Sequence, residues 1–140
     1  MAKFKKLVLN ELGNTTDGYD WTIEREDSDG WYFSFYTENY GYNAFFQRHG
    51  EWIYTGFDVD DPNLPFSETD EGNQFKIVAT IMNMARYVWT NRDILEAHVE
   101  GFSFESGEKR SKLYKTFIRR QFPSAEISKP GYEIKVKPKR

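Results

Sequence analysis

The 140-residue chain contains no cysteine. That absence removes disulfide staples, thiolate metal sites and a cysteine nucleophile, and it fits a reducing compartment. Histidine is nearly absent as well. His49 and His98 lie far apart, without a metal-ligand partner at helical spacing or a nucleophile–base arrangement, so both are read as structural. Long apolar runs are missing: after the basic start Met1 to Lys6 only Leu7-Val-Leu9 follows, which is no secretion signal. No window approaches the roughly 20 apolar residues needed to cross a bilayer. A soluble chain that stays where it is made, without membrane contact, is expected. There is also no Gly-x-Ser-x-Gly elbow, phosphate loop or dinucleotide fingerprint. No catalytic residue, metal or cofactor is therefore assigned.

What is present is aromatic. Twelve Phe, nine Tyr and four Trp, with 39% hydrophobic residues, supply enough burial energy for a single domain spanning 1–140. Net charge is −3 but polarised: residues 1–100 carry 8 basic against 18 acidic residues, and residues 101–140 carry 11 against 4. Such asymmetry marks either a surface for an anionic partner or two halves that attract within one fold.

The first half alternates with a period of two. Phe4 to Leu9, Trp21 to Arg25, Trp31 to Thr37, Tyr42 to Arg48 and Trp52 to Asp58 predict five strands of an antiparallel β-meander. Asn14 to Gly18, Asp27-Ser-Asp-Gly30 and His49-Gly50 supply turn residues between them. Asp58 to Gly72 reads as an acidic loop that Pro62 and Pro65 keep out of a central strand. Its Asp58-Val-Asp-Asp-Pro-Asn63 run suggests calcium, but the register fails. Pro62 falls on an EF-hand ligand position, Asn63 where glycine is needed and Thr69 where the bidentate Glu belongs.

From Asn73 to Asn91 the period changes to about 3.6, predicting a helix capped by Asp70 or Thr69. Phe75, Val78, Ala79, Met82, Ala85 and Trp89 share one face, and Ile77, Ile81, Met84 and Val88 widen it, so both sides should be covered. Ile94 to Glu105 then reads as a strand with a bulge at Gly101. A second helix follows, with Ser106 as N-cap and Pro123 as its stop, and Tyr132, Ile134 and Val136 mark a last strand. The fold class is thus α+β: a meander of about five strands, then helix-strand-helix-strand packed on the sheet.

Candidate binding residues cluster in two places. In the second helix Leu113, Tyr114, Phe117, Ile118 and Phe122 form an apolar stripe, and Lys112, Lys115 and Arg119 stack opposite. That cationic face is either a solvated surface or a patch for phosphates. Arg110 lies on the apolar side, where a guanidinium is either paired with an acid of the first half or aimed into a cleft to bind a carboxylate or phosphate. The second cluster is aromatic: Tyr32, Tyr36, Tyr40 and Tyr42 are either core and cross-strand pairs or an exposed patch for a protein or ligand. Glu133-Ile-Lys135 has the acid-x-lysine form of many nucleases, but no acidic partner strand is evident beside it.

Gly72-Asn-Gln-Phe-Lys-Ile-Val-Ala-Thr80, Phe102-Ser-Phe104 and Arg110-Ser-Lys-Leu-Tyr114 resemble a family of small bacteriophage proteins to which no reaction is assigned. The likeness covers residues 72–122 and departs at Arg110-Ser111, where the family pattern has Ser-Arg. It implies a phage origin, an α+β fold, and a setting in the host bacterial cytoplasm or the virion. The expected role is a non-catalytic accessory protein that binds a protein partner, either a host or defence factor or further copies of itself. The alternatives are nucleic-acid binding through the basic C-terminal helix, and an enzyme or binder acting on nucleotide or phosphate groups around Arg110.

Overall fold

The computed structural model describes residues 18–60, 74–105, 108–128 and 133–138, the side chains of 108–113 excepted. The expected strand at Phe4 to Leu9, the loop expected from Asp58 to Gly72 beyond its first three residues, and the expected caps Thr69, Asp70 and Ser106 lie outside the described residues; Asp58 and Val59 still belong to a strand.

Four strands run in succession: β1 (Trp21–Asp27), β2 (Gly30–Tyr36), β3 (Gly41–His49) and β4 (Trp52–Val59). They are followed by α1 (Gln74–Thr90), a 3-10 turn (Arg92–Leu95), β5 (Gly101–Glu105), α2 (Glu108–Gln121), β6 (Glu126–Ser128) and β7 (Glu133–Lys137). The fold is α+β, as the change of period indicated. All seven strands join one sheet in the order β1-β2-β3-β4-β5-β7-β6, antiparallel everywhere except between β4 and β5. The C-terminal strands therefore extend the meander.

Local chemistry places the turns. At the β1–β2 hairpin the Asp27 carboxylate accepts the Asp29 N–H at 2.9 Å, and Gly30 adopts a φ of 144°. A Cβ on Gly30 would lie 2.0 Å from the Phe46 carbonyl oxygen, so no other residue fits there. Between β2 and β3, Thr37 closes the turn with its N–H on the Tyr40 carbonyl at 2.8 Å. Gly50, with φ of 62°, turns β3 into β4.

Both helices cover the same side of the sheet. Tyr87 of α1 packs on Trp21 and Phe33, at 5.6 and 6.2 Å between ring centres, and Trp89 packs on Phe102 at 5.6 Å. From α2, Tyr114 stacks on Phe104 at 6.0 Å, and Phe122, just past its end, lies 5.8 Å from Phe102. Trp31, Phe33, Phe35, Tyr42, Ala44, Phe46, Ile53, Ile134 and Val136 complete this covered side, all buried. Helix α1 touches the sheet on one side and α2 on the other, which is why its apolar arc is so wide.

Two polar links tie the layers together. The Gln121 amide donates to the Asn83 side-chain oxygen at 2.6 Å, both residues being buried between the helices. Thr80 hydroxyl accepts the Tyr19 N–H at 2.7 Å and docks the approach to β1 on α1. Gly18 permits that approach, because a Cβ there would lie 2.9 Å from the Asn83 amide nitrogen.

Several expectations need correction. Phe75 is 68% exposed: it stands in the first turn of α1, and its ring packs edge-on at 6.2 Å from Phe117 instead of on the sheet. The strand expected from Ile94 begins only at Gly101, because Arg92 holds the Trp89 carbonyl at 2.6 Å and winds Arg92–Leu95 into a 3-10 turn. Gly101 is no bulge. It sits in regular register, and its missing side chain lets β7 approach, since a Cβ would fall 1.8 Å from the Val136 carbonyl oxygen. The short strand β6 was not foreseen; only its pairing with β7 defines it.

Candidate functional site

Among the described residues no helix packs on the side of the sheet facing away from α1 and α2, here termed the open face, and strand register decides what it presents. Residues paired across neighbouring strands share a face. Arg25, Tyr32 and Phe45 form one row that ends on Gly56. Gln47, Tyr54, Ser103 and Lys135 form the next, and His49, Trp52 and Gly101 the one beyond. Thr22, Ser34, Asn43 and Asp58 make a polar row on the other side of the Phe45 row.

The rings on this face are held in place. Gln47 donates its amide to the Tyr32 hydroxyl at 2.6 Å. Phe45 lies across Gly56, where a Cβ would come within 2.5 Å of its ring. Tyr36, 71% exposed, leans over Gly41 at 3.0 Å from where a Cβ would stand. His49 stacks on Tyr54 at 5.3 Å. Trp52 carries the Lys135 ammonium at 4.6 Å from its ring centre and the Lys137 ammonium at 6.0 Å.

Charge gathers at the two margins. On the β1 side the Arg25 guanidinium is bonded to Asp27 at 2.5 Å and lies 3.6 Å from Asp29. The Arg25 hydrogen bond and the Asp29 N–H hold the Asp27 carboxyl below the usual carboxylate range, and Asp27 in turn raises the Arg25 guanidinium. With Tyr32, Gln47, Arg48 and His49 these residues line an open depression of about 280 Å³. The opposite margin holds Lys135 and Lys137 of β7 with Glu126 and Ser128 of β6.

The sequence-derived candidates fall differently on this frame. Tyr32 and Tyr36 reach the open face. Tyr42 does not: it is 1% exposed and stacks on Phe35 at 5.1 Å on the covered side. The alternation of β3 is offset from that of β2, so its even positions point inward, and that removes Tyr42 from any exposed patch. Tyr40 is partly buried against the core. On α2, Lys115 is half-buried and Arg119 exposed, while the neighbouring Arg120 guanidinium rests 4.9 Å over the Phe117 ring. Arg110 and Lys112 belong to α2, but their side chains lie outside the described residues.

His49 and His98 are both exposed, and His98 stands 3.8 Å from Glu100. Glu133 does have an acidic neighbour, since Glu105 of β5 pairs directly opposite it. Among the described residues no group of three or more His, Asp or Glu side chains converges as metal ligands. Trp52, Phe45 and Tyr54 were missed as surface residues. The offset between strand phases would have exposed them, had the pairing been known. No helix among the described residues is long and apolar enough to cross a membrane. No protein-family model, curated protein or solved structure matches this chain.

Proposed function

We propose that this chain is a non-catalytic binding protein that docks a protein partner on the open face of its sheet. One observation carries the reading: the rings and amides of that face gather at its middle, and charge stands around them, at Glu24 and Asp58 in the polar row, at Glu105 and Glu133, and in a cluster at each margin. Tyr32, Ser34, Asn43, Phe45, Gln47 and Tyr54 occupy the centre, Arg25, Asp27 and Asp29 one margin, Lys135 and Lys137 the other. Protein interfaces share this composition, with aromatic anchors in a charge-depleted core and a polar rim. Rings already fixed by Gly56, Gln47 and His49 lose little freedom on binding. The resemblance over residues 72–122 supports a phage accessory role, with a host or defence factor or a second copy as partner.

The test pairs the wild type with a Phe45→Ser/Tyr54→Ser variant. Both chains are used for affinity capture from infected host cells and for sedimentation at increasing concentration. The expected result is a partner, or a dimer, that the wild type forms and the variant loses while its circular dichroism is unchanged. Equal capture and equal sedimentation by the two chains would refute the reading. The basic helix is the weaker candidate surface, because Arg120 is engaged on Phe117 and Lys115 is half-buried.

A further inference from the structure

We infer that the corner formed by Trp52, Lys135 and Lys137 binds a phosphorylated nucleoside, with the base stacked on the indole and the phosphate held by the two ammonium groups. The inference stands on observations separate from those at the centre of the face.

Strand order builds the corner. The parallel pairing sets Trp52 beside Gly101 and Tyr54 beside Ser103, and the antiparallel pairing of β5 with β7 sets Ser103 beside Lys135. Beside the indole the intervening strand thus offers the open face nothing taller than a serine hydroxyl, Glu105 standing farther along it. That low floor lets lysines two strands away reach the indole, at 4.6 and 6.0 Å.

Two like charges share one ring there. Among the described residues neither ammonium has an ion pair, although Glu126 stands opposite Lys137 in the register. A ring quadrupole is a modest partner for an ammonium group compared with a charged oxygen. An anion carrying several oxygens can bridge both lysines and draw them off the indole face, which is then free to stack. The adjoining depression of about 480 Å³ is lined by Trp52, Glu126, Ile127, Ser128, Lys135 and Lys137, and its size suits a base with its sugar. Ser128 and Glu126 supply acceptors for sugar hydroxyls or a base amino group. An acidic peptide would satisfy the lysines but leave the indole uncovered.

The experiment follows tryptophan fluorescence of the full chain, with Trp52→Phe to identify the Trp52 signal and Lys135→Gln/Lys137→Gln to remove the cations. Adenosine monophosphate, adenosine, inorganic phosphate, a short oligothymidylate and polyglutamate are titrated in turn. Saturable quenching by the monophosphate is expected, with adenosine and phosphate each at least about tenfold weaker and the double lysine variant weakened by about tenfold or more at unchanged circular dichroism. An oligothymidylate that binds more tightly than the monophosphate, with steep salt dependence, assigns the nucleotide to a single strand; comparable or weaker binding assigns it to the free pool. Absence of quenching by both nucleotide ligands, equal affinity in the lysine variant, or preference for polyglutamate overturns the inference. Loss of nucleotide binding leaves the protein-docking reading untouched, because that reading is tested at Phe45 and Tyr54.

Discussion

The two sides of the sheet are written in the same residue types and behave as opposites. On the covered side aromatic rings interlock: Phe33 meets Phe46 edge-on at 5.6 Å, Phe46 meets Phe102 at 6.1 Å, and both helices press on that row. On the open side the rings do not interlock with one another: they lie over glycines, beneath lysines or against polar side chains such as Gln47 and His49. Burial is therefore what separates a structural aromatic from one free to bind. An aromatic count alone cannot do so.

Adjacent residues of β3 give the sharpest break. Phe46→Ala empties a fully buried site and should cost about 3–5 kcal/mol, whereas Phe45→Ala on the opposite side should cost about 1 kcal/mol or less. Urea unfolding of the two variants checks both, and similar losses would show that the open side is also a core. Between the helices, Asn83→Leu leaves the buried Gln121 amide without its acceptor and should cost about 1–3 kcal/mol. Adding Gln121→Leu should return part of that loss in a double-mutant cycle.

A smaller effect is linked to pH. The Tyr87 hydroxyl donates a short hydrogen bond to the Glu26 carboxylate, which also accepts the Trp31 indole N–H at 2.9 Å. Burial first, and that carboxylate second, raise the Tyr87 hydroxyl above the ordinary tyrosine range. A group raised in the folded state contributes stability that is complete below its unfolded value, about pH 10, and is lost as pH rises beyond it. Stability of the wild type should thus fall more steeply above about pH 10 than that of Tyr87→Phe, read from urea midpoints between pH 8 and pH 11. Least of all, Tyr36→Ser on the exposed margin should stay within about 0.5 kcal/mol of wild type. A larger loss would mean that its contact with Gly41 supports the turn.

Much of the architecture was legible. Alternation in Trp31-Tyr-Phe-Ser-Phe-Tyr36 and the switch of period at Asn73 are properties of short segments, and each element they predict among the described residues is present. The candidate site was legible only in part. Tyr32 and Tyr36 could be singled out as surface aromatics, but Tyr42, drawn from the same kind of run, belongs to the core. A strand reveals that its residues alternate, not which half faces the helices.

The sequence by itself thus determined periodicity, turn positions and the wide apolar arc of α1, because side-chain direction along a strand or helix follows from the backbone repeat. Tertiary structure decided the rest. Which tyrosines meet solvent depends on the phase between β2 and β3. The need for glycine at position 101 depends on the approach of β7. The meeting of Trp52 with Lys135 depends on a parallel pairing made across α1, followed by an antiparallel one made across α2. Each of these is a relation between distant segments, fixed only when burying the covered side selects one register for the whole sheet.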